Sequence, residues 1–389
     1  MEKIKEKLRE LINSADESKH SKEELDNLSK FVENLEKFTY PTNIKKWVIK
    51  NLELERQHTI PWVFLNGFTE NNDGMIYLYD LSKKDFVNES KVSTNSILKE
   101  EDIYVFTDKS GKKNYFFEKF TFSFILEWGI KNVLGKFLTH EKLIERDWQI
   151  LSWFIAFQFT RTKRFLETLK YNYQKSMKIM FQNRYKTFEH FEERFKKMQK
   201  ETGYKTNVTI RETYDYIKAW NYDAVANKDY ILTTAMSLAN DFWPLFLNAH
   251  YEILETRKLW FFMCSDVPFF IIPPVGWPKN MWLWLMYPPK AERIMPLNKT
   301  QCVKITLFPK EINHGVSCSY KTINEKMTNR INTYICKNAD RFILTKDKEY
   351  LKGILWRINF KILEKEKKRE AVSYDKDFNL LIESQFFPH

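Results

Sequence analysis

The stretch from Trp148 to Phe159 carries apolar side chains on nearly every side of the helix that its pattern predicts. A surface helix needs only one apolar stripe, whereas a helix that is apolar all round has to be buried on all sides. The surrounding sequence predicts one long helix, from Glu141 to Gln174, around this stretch. The chain must therefore build a large core with this helix at its centre.

The composition supplies the material for such a core. The chain has 389 residues, of which 43% are hydrophobic and 16% are aromatic. These fractions exclude a disordered chain, and the length suits one large domain with appendages, or two domains. Because the sequence has only 9 Gly and no GxGxxG or Walker-type loop, the Gly-rich phosphate loops of nucleotide-binding folds are not expected.

Three zones follow one another along the chain. Residues 1–55 predict helices with two apolar stripes and nearly balanced charge, which favours a packing extension over a coiled coil that binds a partner. Residues 56–346 predict the core domain. Residues 347–389 predict a charged helical tail that packs on the core or extends from it.

Strands are predicted on both sides of a mainly helical middle. Pro61–Phe68 and Met75–Asp80 predict a hairpin around a turn at Asn71–Gly74, and a helix from Asp229 to Leu254 is predicted to bend near Pro244. Further strands are predicted at Asp102–Thr107, Lys258–Cys264, Phe269–Ile272, Met281–Tyr287, Ile294–Leu297, Cys302–Phe308 and Arg341–Leu344, and further helices at Phe116–Phe137 and Lys321–Ala339. The expected fold class is α+β, with a helical N-terminal extension, a largely helical middle around a buried central helix, and mostly antiparallel strands before and after it.

Cysteine usage and the lack of an export signal predict a cytoplasmic protein. The first residues are charged and helical in pattern, unlike a secretory signal. The most apolar region, Leu259–Pro289, is interrupted by Ser265, Asp266 and prolines, so no transmembrane span of about 20 apolar residues is expected. No zinc site is expected either, because the four cysteines are widely spaced, at Cys264, Cys302, Cys318 and Cys336.

Positive charge is concentrated in one segment. Residues 161–200 contain 12 Lys and Arg against 4 Asp and Glu, so this segment carries +8 of the net +12. Cations interleaved with aromatic residues suit contact with the phosphates and bases of RNA or DNA. The alternative is an amphipathic helix with its aromatic residues in the core and its lysines in water. The candidate binding residues are Arg184, Lys186, His190, Arg194 and Lys197.

A buried ion pair is the first candidate for chemistry. Gln158 and Arg161 share one face of the predicted long helix and should both be partly buried. Asp266 lies between two apolar strand candidates, where a buried carboxylate needs a partner. Arg161 is the expected partner, and the pair could be structural, catalytic or ligand-binding.

Two other arrangements would also provide an acid or base. His58 precedes the first predicted strand, where a lone histidine is more often a structural hydrogen-bonding residue than a base. If Glu127 and Asp266 converged with His58, they could hold a divalent cation such as Mg²⁺ or act as acid and base. Arg184 and His190 also have the loose spacing of helical RNA-cleaving folds.

A family resemblance covers roughly residues 56–346. Five motifs in the same order resemble the uncharacterised bacterial family known as domain of unknown function 4238. They are His58-Thr-Ile-Pro61 with Phe64-Leu65 and Phe68, Phe154-Ile-Ala-Phe-Gln158-Phe-Thr-Arg161, Ser265-Asp266-Val-Pro268, Met295-Pro296-Leu297, and Asn329-Arg-Ile-Asn332 followed by Ala339-Asp-Arg341.

The resemblance implies an α+β fold and one shared polar site, but no known reaction. That site would gather His58, Gln158, Arg161, Ser265, Asp266 and Asn332. Val267 stands where the family usually has a small polar residue, and a bulky Trp62 follows Pro61. The N-terminal zone lies outside the resemblance.

The functional expectations fall into three classes. The leading hypothesis is a protein directed at nucleic acid, such as a nuclease-like effector, with His58, Arg161 and Asp266 as its catalytic candidates. The alternative is a non-enzymatic interaction or small-ligand-binding module, and the third is a metal-dependent hydrolase. Changing Asp266 to Asn separates the first two, because a structural carboxylate supports stability whereas a catalytic one supports activity.

Overall fold

The structure is a computed structural model, and the residues that it describes exclude most of both predicted appendages. The predicted N-terminal extension, residues 359–389 of the tail and the strand predicted at Met281–Tyr287 lie outside the described residues. The described ranges are residues 56–107, 113–114, 129–219, 224–257, 259–272, 291–308 and 315–358.

Helices dominate the middle of the chain, as its sequence predicts. In chain order they are α1 (Trp62–Asn66), α2 (Ile130–Thr139), α3 (Glu145–Thr160), α4 (Lys163–Arg184), α5 (Phe188–Thr202), α6 (Ile210–Lys218), α7 (Lys228–Leu247), α8 (Glu325–Asn338) and α9 (Lys348–Arg357). Across the described residues, no helix combines the length and hydropathy needed to cross a membrane.

Strands lie before and after this helical middle. They are β1 (Arg56–His58), β2 (Met75–Asp80), β3 (Asp85–Phe86), β4 (Val92–Ser93), β5 (Lys99–Glu101), β6 (Phe106–Thr107), β7 (Lys113–Asn114), β8 (Ala249–Thr256), β9 (Cys264–Ser265), β10 (Phe270–Ile272), β11 (Glu292–Pro296), β12 (Gln301–Leu307), β13 (Ser317–Ile323) and β14 (Phe342–Thr345).

Two larger sheets organise these strands. The first has the order β10-β11-β12-β8-β13 and is antiparallel except for the parallel pair β8 and β13. The second has the order β3-β2-β14-β9, with β4 also on β2, and is antiparallel throughout. The α+β class and the mostly antiparallel strands are therefore confirmed.

The core surrounds α3, as the all-round apolar pattern predicts. Trp153, Phe154 and Phe157 are fully buried in the main hydrophobic cluster. Trp153 stacks on Trp243 of α7, with ring centroids 5.1 Å apart, and Phe154 contacts Phe64 of α1 at 5.4 Å. Helix α3 thus packs against helices that lie both before and after it in the chain.

The single helix predicted from Glu141 to Gln174 is wrong, because the chain breaks after Thr160. Arg161 caps the C-terminal end of α3, and Thr162 is extended, with φ −64° and ψ 146°. The Thr162 hydroxyl accepts a hydrogen bond from the backbone N–H of Phe165 and so caps the next helix, α4. A threonine that satisfies an orphan N–H at a helix start makes a new helix favourable at this point.

Other elements also differ from the prediction: the strand predicted at Lys258–Cys264 is irregular before Cys264, and the helix predicted from Lys321 begins at Glu325, after β13. Pro61–Phe68 contains α1 (Trp62–Asn66) and not a strand, because the carbonyl oxygen of Pro61 accepts hydrogen bonds from the N–H groups of Phe64 and Leu65, whose side chains are buried. The helix predicted to run to Leu254 ends at Leu247, and β8 begins at Ala249. Here a strand with alternating burial takes over from the helix.

Candidate functional site

Arg161 holds the buried end of α3 against β1. Its side chain is 1% exposed, and its guanidinium donates a hydrogen bond to the carbonyl oxygen of His58. The same guanidinium lies 5.0 Å from the ring centroid of Tyr104, whose hydroxyl donates to the Arg161 carbonyl oxygen at 2.6 Å. A buried cation, an aromatic face and the carbonyl oxygen of the residue that ends α3 therefore lie close together.

Two buried glutamines are close in sequence to this contact: one precedes His58 and the other lies three residues before Arg161. Gln57, beside His58, accepts a hydrogen bond from the backbone N–H of Tyr104 at 2.7 Å. Gln158 lies one turn before Arg161 on α3, and both glutamines are fully buried. Among the described residues, Nε2 of Gln57 and both amide atoms of Gln158 have no hydrogen-bond partner. Gln57, His58, Tyr104, Gln158 and Arg161 are together called the polar cluster below.

His58 is a neutral member of this cluster. Its Nε2 lies 3.2 Å from the carbonyl oxygen of Asn95, so Nε2 carries the proton. Burial, with the positive charges of Lys99 and Arg161, lowers the pKa of His58 to about 4, although the Asn95 hydrogen bond acts in the opposite direction. At neutral pH His58 therefore has little tendency to gain a second proton.

Asp266 does not pair with Arg161, which corrects the predicted ion pair. Its carboxylate accepts hydrogen bonds from three consecutive backbone N–H groups, those of Asp340, Arg341 and Phe342, at 2.9, 2.7 and 2.9 Å. Burial raises the pKa of the Asp266 carboxyl to about 6, and these N–H donors oppose the rise. Asp266 follows β9, and β9 pairs with β14. This pairing places the turn that precedes β14 next to the Asp266 carboxylate, so backbone N–H groups are its partners.

The same turn is held by a second carboxylate that the sequence did not identify. Arg341 donates through Nε and Nη2 to Oδ2 of Asp80, at 3.1 and 2.8 Å, and the Asp80 side chain is almost fully buried. Burial alone would raise the pKa of Asp80, but hydrogen bonds from Arg341 and Ser82 outweigh it and lower the pKa to about 2. Asp80 ends a predicted strand whose other residues are mostly apolar, and this position could have indicated a buried carboxylate that needs a partner.

Ser265 and Asn332 also form hydrogen bonds that shape the backbone. The Ser265 hydroxyl donates to the carbonyl oxygen of Val267 at 3.0 Å. Asn332 is fully buried and accepts from the N–H of Met263 at 3.0 Å, while its Nδ2 donates to the carbonyl oxygen of Phe261 and the hydroxyl of Tyr350, both at 2.8 Å. Asn332 thus fixes the irregular strand-like segment before β9 to α8 and α9.

The six residues implied by the resemblance therefore have distinct local partners. His58, Gln158 and Arg161 belong to the polar cluster at the end of α3. Ser265 and Asp266 bind backbone around β9 and β14, and Asn332 binds the segment before β9. Glu127 lies outside the described residues, and within those residues no three His, Cys, Asp or Glu side chains gather as metal ligands would.

The basic candidates lie on a different part of the molecule. Arg184 ends α4, Lys186 lies in the connection, and His190, Arg194 and Lys197 follow one another at intervals of four and three on α5. All five are exposed. On α5, Phe191 is 3% exposed and contacts Tyr185 and Tyr214 at 5.2 and 5.5 Å between ring centroids, whereas Phe188 and Phe195 are half-buried.

The fold and these contacts define a class, an α+β protein whose buried central helix ends in a polar cluster. The family model described as "Protein of unknown function (DUF4238)" matches residues 56–349. The chain belongs to this family, as the five motifs indicate. No curated protein and no solved structure matches it significantly.

Removing the Asp266 carboxylate should destabilise the protein. Asp266→Ala leaves three backbone N–H groups without an acceptor, so the free energy of unfolding should fall by about 2 to 4 kcal/mol. Asp266→Asn keeps one acceptor oxygen and should lose about half as much. Denaturant titration measures both, and Asp340→Ala, which removes an exposed neighbouring carboxylate, should change stability by less than about 0.5 kcal/mol.

His58 should make stability depend on pH below neutrality. Its pKa is about 4 in the folded state, against an ordinary value of 6.5 in an unfolded chain. The neutral form therefore stabilises the protein above pH 6.5, and this contribution is lost as the pH falls towards 4, to a limit of about 3 kcal/mol.

His58→Gln keeps a donor for Asn95 but cannot titrate. The stability difference between wild type and this variant, measured by denaturant titration at each pH, should shrink from pH 6.5 to 4. Other titrating groups, including Asp266, affect both proteins alike and cancel in the difference. A constant difference across this range would show that His58 keeps an ordinary pKa in the folded protein.

Proposed function

We propose that the protein binds nucleic acid, RNA or DNA, through the basic face formed by Arg184, Lys186, His190, Arg194 and Lys197. The observation that carries the proposal is that these side chains are all exposed and lie on the end of α4, the connection after it and helix α5. The four Lys and Arg side chains of this face match the regular negative charge of a phosphate backbone.

The packing of the aromatic residues favours binding to phosphates over stacking on bases. Phe191 contacts Phe195 at 5.4 Å and Tyr214 of α6 at 5.5 Å, so these rings hold α5 to its neighbours. Rings used in packing are not offered to bases for stacking. The proposed contact is therefore with phosphates, which predicts weak dependence on sequence and strong dependence on salt.

The ion pairs on α5 do not oppose this mode. Lys196 lies 2.7 Å from Glu192, and Lys197 lies 3.8 Å from Glu201, with both pairs on the solvent side. Exposed pairs of this kind contribute little free energy, so a phosphate can readily replace the carboxylate.

Cleavage is a separate question from binding. Asp266 already accepts three backbone N–H bonds, and His58 is a buried neutral side chain. These roles support binding as the proposed function and assign no cleavage step to either residue.

Removing charge from the basic face should weaken binding. The triple variant Arg184→Gln, Arg194→Gln, Lys197→Gln should lose at least about tenfold in affinity, and the slope of log K against log salt should become shallower by about 2 to 3. Fluorescence anisotropy with labelled RNA, single-stranded DNA and duplex DNA over a salt series measures both. Parallel samples with magnesium or manganese, run on a gel, report any cleavage.

The matched control removes the same charge elsewhere. Lys131, Lys142 and Lys326 are exposed and lie outside the basic face. Their combined change to Gln should leave the affinity within about twofold of wild type. Equal losses in both triple variants would mean that only net charge matters, and no binding at low salt would rule out the proposed function.

The polar cluster favours a second candidate function, binding of a small ligand. A buried amide with no hydrogen bond costs about 1 to 3 kcal/mol. Within the part of the chain that the structure describes, Gln158 has two amide atoms without a partner and Gln57 has one. A ligand with a donor and an acceptor side by side, such as an amide or a hydroxyl group, would satisfy them.

Replacing Gln158 by Met tests this candidate through the sign of the stability change. If the purified protein holds a ligand there, the substitution should lower the midpoint of thermal unfolding by about 2 to 4 °C. Native mass spectrometry should then show extra mass on the wild type and none on the variant. A rise in the midpoint with no extra mass would exclude a ligand, because Met then replaces an unsatisfied amide. Gln149→Met, on the same helix, serves as the control substitution.

A further inference from the structure

Strand β13 forms an open edge of the first sheet. It pairs in parallel with β8 on one side, through the register that joins Ser317 to His250 and Ile323 to Thr256. On its other side, no strand of the described residues pairs with it. All residues of β13 except the last, Ile323, are exposed or partly exposed. A row of backbone N–H and C=O groups therefore faces outwards along seven residues.

The usual protections of an edge strand are weak here. Edge strands are normally short, bulged, interrupted by proline or lined with charges. Strand β13 is a regular run of seven residues without proline, and its one charged side chain, Lys321, already lies 3.6 Å from Glu252 of the neighbouring strand. Such an edge is a template for pairing with another strand.

We propose that β13 pairs with β13 of a second copy of this chain, antiparallel, around a two-fold axis at Tyr320. A closed two-fold dimer uses one edge from each copy and leaves none of them open, which suits the single free side of β13. The first sheets of the two copies then join into one continuous sheet.

Symmetry fixes the register of this pairing. With the axis perpendicular to the sheet, paired residues must lie on the same face, so their numbers differ by an even step. Tyr320 is the midpoint of Ser317–Ile323, and only an axis there pairs all seven residues. Ser317 then lies opposite Ile323 of the second copy, Cys318 opposite Thr322, and Ser319 opposite Lys321.

The side chains fit this register. Lys321 meets Ser319 and not a second Lys321, so no like charges lie directly opposite each other. Tyr320 is stacked on His140, with ring centroids 4.2 Å apart and planes 15° apart, and is still 36% exposed. Two tyrosine rings held in this way would meet at the axis and cover each other's exposed parts.

A disulfide between copies tests the register directly. Thr322→Cys places a new thiol opposite Cys318 of the second copy, where Cα atoms of antiparallel pairs lie about 4.5 to 5.5 Å apart, within the range of a disulfide. Cys318 is the exposed cysteine of the chain, since Cys264, Cys302 and Cys336 are buried. With diamide added as oxidant, this variant should run as a covalent dimer on a non-reducing gel.

Three controls define the specific result. The wild type has Thr322 opposite Cys318 and should not cross-link. Lys321→Cys has Ser319 opposite it, on the other face of the sheet, and should not cross-link either. Adding Cys318→Ser to Thr322→Cys should abolish the covalent dimer. Equal cross-linking of the Lys321→Cys and Thr322→Cys variants would indicate random collision and overturn the proposed register.

The dimer itself is measured without any oxidant. Sedimentation of the full chain should give about twice the 47.2 kDa of one chain. Tyr320→Lys places two like charges at the axis and should weaken the dimer by at least about tenfold, whereas Tyr320→Phe should leave it unchanged. Thermal unfolding confirms that both variants fold. A single-chain mass at high concentration, together with no covalent dimer of the Thr322→Cys variant, would overturn the proposal and leave the edge open to a strand of another protein.

Discussion

The nearly complete burial of α3 from Ile150 to Thr160 is the constraint on which the rest of the structure depends. Its apolar side chains need cover on all sides, which α1, α7 and the inner face of the first sheet provide. A helix buried to its end also has to satisfy its last carbonyl groups without water. The Tyr104 hydroxyl donates to the carbonyl oxygen of Arg161, the residue that ends α3. The Arg161 guanidinium lies against the Tyr104 ring and donates to the carbonyl oxygen of His58, so a cation is enclosed in the core.

A second constraint fixes the edge between β2, β9 and β14. Asp266 receives three backbone N–H bonds from the turn that leads into β14, and Asp80 holds the Arg341 side chain of the same turn. Two carboxylates thus hold one turn: Asp266 binds its backbone N–H groups, and Asp80 binds the side chain of its arginine. Asp266, which the sequence suggests as the ionic partner of Arg161, instead belongs to the junction between β9 and β14.

The sequence predicted burial better than it predicted pairing. The buried helix, the strand Met75–Asp80 and the α+β class follow from periodicity, because local burial patterns record which face meets the core. The Arg161–Asp266 pair was wrong because a sequence shows which charges need partners but not that backbone N–H groups can serve. The break at Thr162 was missed for a similar reason: a capping threonine inside a continuous helical pattern competes only weakly with that pattern. Gln158 was identified as a polar residue on a buried face, but only the three-dimensional structure shows that its amide has no hydrogen-bond partner among the described residues.

The break at Thr162 also has a mechanical consequence. Helix α4 has 22 residues and starts two positions after Arg161, so it is a lever of about 33 Å whose pivot adjoins the polar cluster. A tilt of about 5° at this pivot displaces the far end, where Arg184 lies, by about 3 Å. Phe165 and Leu169, in the first turns of α4, pack against Ile231 and Ala235 of α7. A load applied at the far end is therefore shared between this packing and the two residues that join α3 to α4.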